Sequence, residues 1–411
     1  MLPLLLALAA QGADEVPVEV FLKEGLRFRT ADGAFEGRVG GRILAQYRGI
    51  LDRPDDDAPP LRSVPDAAFL RQARIELETF FRKEWYARIA TDFATGTWNQ
   101  PAGTGPSATT ATLRDAYVEW RARPELQVRV GQMHLPVSQE ELASIRFLEW
   151  LERSPMNRLV PGRDIGAQAS GTLFDGRFGY AVMAANGGGL LQDQGRAVAD
   201  REDEKELGAL LRAWPHPSVR LTLSGSLASV DSAPVSGFDL STVELSVLWL
   251  DADGPGTFDG RRRRVLPAVA AAVGPVGLAA EALFREDELD GSFAQDRIRS
   301  RGFYAGASVF LTGEDKAIDR RPVPLGPWGA LEAALRVGRL EIDDPFEAGL
   351  ASAAGNADRV TSYTAGLNWW VTPIVRLSGN LVHERYSDEL DFGSRREDRL
   401  TGFLVRLQID Y

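Results

Sequence analysis

From Arg38 onward, apolar and polar residues alternate. Val39, Gly41, Ile43, Ala45 and Tyr47 fall on one face of an extended segment, and Arg38, Arg42, Gln46 and Arg48 on the other. Successive side chains of a strand point to opposite sides, so this segment has one apolar and one cationic face. The pattern repeats with Ala73, Ile75 and Leu77 against Arg74, Glu76 and Glu78, then with Trp85, Ala87, Ile89 and Phe93 against Tyr86, Arg88 and Asp92. It continues with Ala116, Val118 and Trp120 against Asp115, Tyr117 and Glu119, and with Leu126, Val128 and Val130 against Gln127 and Arg129. Further strands are expected over 166–174, 178–186, 206–214, 217–229, 263–273, 276–287, 299–311, 327–341, 359–371, 374–386 and 399–411.

The connections alternate as well. Tight turns such as Asp175-Gly176, Gly274-Pro275 and Thr372-Pro373 are interleaved with longer polar stretches, among them DRPDDDAPP, Thr95–Thr110 and REDEKE. Dyad alternation with short turns at one end and long loops at the other is the signature of an outer-membrane barrel. Such barrels have even strand numbers. Sixteen strands result if 231–262 is one long loop carrying Leu240–Leu250 as local strand structure, and seventeen if that segment is a full strand. Sixteen is therefore expected.

One stretch, Gly131 to Gly166, breaks the pattern. Leu142, Ile145, Leu148 and Leu151 recur at helical spacing, and it holds Arg146, Arg153, Arg158 and Arg163. A long insertion between strands is usually functional or disordered, and this one is too apolar for disorder. At the end of the chain, Phe403, Val405, Leu407, Ile409 and Tyr411 share one face. In a soluble protein so apolar an edge strand would invite aggregation; as the closing strand of a barrel it has a partner.

Composition narrows the reading. The 411 residues carry a net charge of -11, so a general nucleic-acid binder is disfavoured. Cysteine is absent, and the three histidines, His134, His216 and His383, lie far apart without metal-ligand spacing. No cofactor or metal is expected, and no Ser-His-acid set supports a hydrolase. The segment 1–13, MLPLLLALAAQGA, reads as a signal peptide. Residues 14–36 read as a periplasmic lead-in with one short hairpin, and 37–411 as the barrel. Trp85, Trp120, Trp249, Trp328 and Trp369 are candidates for interfacial girdles. The run Arg261–Arg264 falls in the expected wide loop, where contact with lipopolysaccharide is an expectation.

Several segments together resemble the phosphate-selective porin O and P family. They include Gly40-Gly41-Arg42, Arg114-Asp115-Ala116-Tyr117-Val118, Gly131-Gln132, Phe147-Leu148-Glu149, Pro161-Gly162-Arg163-Asp164-Ile165-Gly166, Thr312-Gly313-Glu314 and Tyr363-Thr364-Ala365-Gly366-Leu367-Asn368-Trp369. The resemblance implies a bacterial outer-membrane location and an all-β, sixteen-stranded antiparallel transmembrane barrel forming a homotrimer. It also implies that the loop after the fifth strand, here 131–166, folds into the lumen and narrows it, and that arginines draw small inorganic or organic anions through, phosphate among them. His134 stands where family members carry a lysine, and five acids in 131–166 face the four arginines.

The expected pore-lining residues are Arg42, Arg74, Arg88, Arg129, Arg376 and Arg406 on strands, and Arg146, Arg153, Arg158 and Arg163 on the insertion. A partnership of Arg74 with Glu76 or Glu78, and of Arg163 with Asp164, is expected alongside. A non-selective porin and a structural barrel without conductance remain open as alternatives.

Overall fold

A computed structural model of the chain describes residues 16–52, 66–94, 111–187, 205–235, 238–393 and 395–411. The segment 1–13, expected to be a signal peptide, the stretch 95–110, most of DRPDDDAPP and all but the end of REDEKE lie outside the described residues.

Among the described residues, twenty strands form. A hairpin comes first, β1 (Val18–Leu22) and β2 (Leu26–Thr30). The first half of the wall is β3 (Phe35–Ile50), β4 (Ala67–Phe81), β5 (Trp85–Asp92), β6 (Thr112–Arg123), β7 (Leu126–His134), β8 (Arg163–Leu173), β9 (Phe178–Ala185) and β10 (Glu206–His216). Next come β11 (Val219–Pro234) and two short strands, β12 (Leu240–Ser241) and β13 (Leu248–Leu250). The wall ends with β14 (Thr257–Val273), β15 (Val276–Leu289), β16 (Arg297–Phe310), β17 (Ala330–Ile342), β18 (Arg359–Thr372), β19 (Val375–Asp391) and β20 (Arg396–Asp410).

Each wall strand pairs antiparallel with its neighbours, and β20 closes on β3, from Asp410↔Arg42 to Gly402↔Ile50. Leaving aside the hairpin, which extends β3 at its first residues, the closed sheet has sixteen strands. Closure pairs the whole ladder, the condition for a sheet in lipid. Among the described residues, no helix is long and apolar enough to cross a membrane; the chain crosses with strands.

The two faces of each strand are inverted relative to a soluble protein. On β20, Arg406, Gln408 and Asp410 are each 1% exposed, whereas Val405, Leu407 and Ile409 are 42%, 44% and 39% exposed. Most outward positions of the wall are apolar and most inward ones polar, with Ile43, Ile75, Ile89, Leu221, Leu278 and Leu381 outside and Arg42, Arg74, Glu281 and Glu384 inside. Outward Trp85 and Trp120 sit as a pair with centroids 6.4 Å apart, and Trp369 donates its indole N–H to the Trp328 carbonyl at 2.7 Å. Trp249 departs from the girdle expectation: it is fully buried inside the barrel.

Three connections fill much of the lumen. The insertion expected at 131–166 narrows to 135–162, because β7 and β8 continue pairing as far as His134↔Arg163. Its helical spacing yields a single helical turn, α1 (Gln139–Leu142), and a short 3-10 turn at Pro155–Leu159. The apolar positions Ile145, Leu148 and Leu151 are buried by folding the loop against the wall, not by forming a helix face. The second connection is 235–256, which carries the β12–β13 pair and tucks Leu245, Val247, Trp249 and Leu250 into the same apolar cluster as Leu135, Leu151, Met156 and Leu159. The wide loop is shorter than 231–262 because β11 and β14 extend into it, which places Arg261–Arg264 on β14. Arg262 and Arg264 then point inward to Asp287 and Glu206, and Arg263 outward to Glu286.

The third connection, 311–329, breaks the expected rhythm. It joins β16 to β17 at the end where the other connections are tight turns. Asp319 reaches Arg220 on β11 at 2.5 Å and Arg321 reaches Asp410 on β20 at 2.9 Å. The segment therefore spans the mouth of the barrel beneath β11 to β20.

Candidate functional site

Where the three connections do not fill the lumen, beside β3 to β10, a cavity of about 550 Å³ remains. Among the described residues, eight arginines line it, Arg42, Arg74, Arg88, Arg129, Arg146, Arg153, Arg163 and Arg212, together with His134 and a single carboxylate, Asp115. It reaches the tight-turn end at Pro124, Thr172 and Trp214.

The carboxylates that balance these arginines are mostly set behind them. Glu76 is 0% exposed and accepts charge from Arg42 at 3.3 Å, Arg88 at 3.2 Å and Arg146 at 3.6 Å. Arg88 also reaches Glu78 at 2.9 Å and Asp115 at 3.3 Å. Arg74 pairs with Asp92 at 3.0 Å, not with Glu76 or Glu78 as its sequence neighbours suggested, because Asp92 is its direct cross-strand partner. Arg163 pairs with Asp115 at 2.7 Å instead of Asp164, whose oxygens accept from the Ile165 and Gly187 backbone amides. Arg129 pairs with Glu119 and lies 4.3 Å from the Tyr117 ring centroid. A guanidinium held from behind by a buried carboxylate keeps a fixed orientation and leaves N–H donors toward the cavity. The lining is cationic.

Arg212 differs. Among the described residues it has no carboxylate within ion-pair distance, and its Nε is buried without a partner. It was not singled out from the sequence, although the alternation of Glu206, Gly208, Leu210 and Arg212 along β10 puts it on the lumen face.

The insertion is fixed by a second set of arginines. Glu152 accepts from Arg71 at 2.9 and 3.0 Å and from Arg406 at 2.6 Å. Arg336 donates to the Glu152 carbonyl at 2.9 Å and to Glu140 at 3.3 Å. Arg376 donates to the Leu148 carbonyl at 2.8 Å, and Arg264 to that of Leu159 at 3.1 Å. Arg158 donates to the carbonyls of Ser241 and Thr242, joining the two loops that fill the lumen. Arg158, Arg376 and Arg406 therefore lie outside the cavity, serving as anchors. From the wall, Glu281 accepts from the backbone amides of Gln139 and Glu140 at 2.8 and 2.9 Å, fixing the start of α1. His134 lies 3.3 Å from Glu141, whose other oxygen is 3.2 Å from Arg153.

Glycines let the insertion approach the wall. A Cβ at Gly306 would overlap the Trp150 ring, and one at Gly302 would overlap Met156. Burial pushes the Glu140 carboxyl up, against Arg336. Burial also penalises the Glu152 charge, but Arg71 and Arg406 outweigh it and hold that carboxyl below the ordinary glutamate range.

A closed barrel with an apolar exterior, a polar lumen and an infolded constriction loop is the architecture of an outer-membrane porin. The family model for phosphate-selective porin O and P matches residues 57–215 and 254–411. The chain belongs to that family. It is 24% identical over 443 residues to Porin O of Pseudomonas aeruginosa, covering 98% of this chain and 96% of the relative. Among solved structures, the outer membrane channel DcaP of Acinetobacter baumannii aligns with a TM-score of 0.59 at 12% identity, covering 93% of this chain and 99% of that one. An anion-selective porin from Comamonas acidovorans aligns with a TM-score of 0.56 at 12% identity, covering 92% and 100%. The protein is a porin of the bacterial outer membrane, and its fold and family point to a channel rather than an enzyme.

Proposed function

We propose that this porin passes small anions by passive diffusion along the arginine-lined half of its lumen, inorganic phosphate among them. The observation that carries the reading is the arrangement of charge: eight guanidiniums line the cavity while Glu76, Asp92 and Glu119 sit behind them. An anion exchanges part of its hydration shell for oriented N–H donors, and several weak sites in series allow both entry and exit. Arg212, with no carboxylate at ion-pair distance among the described residues, offers its donors to an anion on this path. Family membership and the anion selectivity of the Comamonas porin support the same direction. The filled opposite half of the lumen makes the channel narrow, with a small unit conductance.

The test is the reversal potential across a planar bilayer in a salt gradient, followed by phosphate titration of the chloride current. Anion preference with phosphate block supports the full reading. Anion preference without block leaves a general anion porin, and cation preference overturns it.

A further inference from the structure

The outer wall of β17 to β20 carries charge that the pore does not use. Arg339 is in register with Thr361, Thr361 with Arg385, and Arg385 with Arg399. The four share the outward parity of Leu335, Tyr363, Leu381 and Phe403. Strands lie nearly 5 Å apart, so the row spans about 14 Å. Arg339 donates to the Thr361 hydroxyl at 3.2 Å. Among the described residues, no carboxylate pairs with Arg339, Arg385 or Arg399. Like charges directly opposite one another weaken an antiparallel pair, and Arg385 and Arg399 are such a pair.

Immediately toward the tight-turn end lies an open groove of about 680 Å³. Ala305, Ala307 and Ala365 form its floor, and Leu335, Tyr363 and Leu381 rise around it. His383 and Thr401, 3.0 Å apart, stand between groove and arginines. The arginine row is at the long-loop end of the apolar wall. Long loops of such barrels face the cell exterior, so the row meets the headgroups of the outer leaflet.

We propose that this face binds a phosphorylated, acylated glycolipid of the outer leaflet, with its phosphates on Arg339, Arg385 and Arg399 and one acyl chain in the groove. Guanidinium binds phosphate through paired donors. A row of this length with three guanidiniums that no carboxylate pairs among the described residues matches a headgroup bearing two phosphates better than a phospholipid bearing one. The groove supplies an apolar slot of acyl width directly beneath.

The test uses the intact barrel in nanodiscs of uncharged phospholipid, titrated with diphosphoryl lipid A and read by native mass spectrometry. The double variant Arg385→Gln and Arg399→Gln is expected to bind about tenfold more weakly, with unchanged single-channel conductance. Ala365→Phe fills the groove without touching charge and is expected to weaken binding as well. It also carries the test if the double variant does not insert. Monophosphoryl lipid A is expected to bind less tightly, and phosphatidylglycerol to compete poorly. Full binding by the variants overturns the proposal, as does equal competition by phosphatidylglycerol. Cross-linking of a Leu381→Cys variant to a second copy also overturns it, because the face would then be a protomer contact.

Discussion

Arg406 on the closing strand and Glu152 on the infolded loop sit 2.6 Å apart, though 254 residues separate them in the sequence. Arg71 on β4 grips the same carboxylate from the other side of the seam. Glu152→Gln leaves two guanidiniums facing a neutral amide in a buried site. Loss of one partner of a buried pair costs about 3 kcal/mol. The expected result is a lower urea midpoint and earlier proteolytic cleavage within 135–162. An unchanged midpoint would remove Glu152 as the principal anchor.

The same carboxylate predicts a pH dependence. Its pKa in the folded barrel lies below the ordinary glutamate value of 4.5, held there by Arg71 and Arg406 against burial. A depressed carboxylate contributes stability that is present above its unfolded pKa and is lost as pH falls through the folded value. The stability gap between wild type and Glu152→Gln is therefore expected to be full at neutral pH and to shrink below pH 4.5. Glu140, raised by burial, acts with the opposite sign. Its contribution falls as pH rises through 4.5, so a Glu140→Gln variant gains relative to wild type on that side. Urea titrations of both variants between acid and neutral pH separate the two.

Arg88 faces Glu76, Glu78 and Asp115. Arg88→Gln uncovers negative charge at the cavity lining. A unit charge at contact distance in water is worth about 1 kcal/mol, which is roughly fivefold in the ratio of anion to cation permeability. The reversal potential is expected to move toward cation preference by that amount. No shift would mean that ions do not pass this wall.

Gly306 is the point where Trp150 meets the wall. Gly306→Ala is expected to destabilise by about 1–3 kcal/mol through overpacking, or to displace the loop and change conductance. In a Trp150→Leu background the same substitution is expected to be nearly neutral. The double-mutant cycle measures this coupling, and additive effects would place the clash elsewhere.

Much of the barrel was legible because a strand in lipid must alternate, and each wall strand here does. Parity then fixed the count, and Leu240–Leu250 fell into a loop with its own small strand pair, β12 and β13. The lumen was harder to read. Leu142, Ile145, Leu148 and Leu151 have helical spacing, yet Ile145 and Leu148 pack against Leu44, Leu151 joins the larger apolar cluster and Leu142 borders the cavity, so a periodic pattern arose from irregular backbone. Ion-pair partners followed cross-strand register, not sequence proximity, as Arg74 with Asp92 shows. One signal was available and unused: the long interval between the strands expected at 299–311 and 327–341 falls where a tight turn belongs. It marks the segment that closes half of the mouth.

The position of Glu152 has a bearing on assembly. Gln46 and Arg71 come from β3 and β4, and Arg406 from β20, so the groups that grip this carboxylate lie on both sides of the β3–β20 junction. Before the last strand docks on the first, that set of donors does not exist. In a half-built barrel the insertion can be held by Arg264, Arg336 and Arg376, but not by the full set that grips Glu152. The hold on Glu152 is therefore completed only when the two ends of the barrel meet, which ties the seating of this loop to closure of the wall.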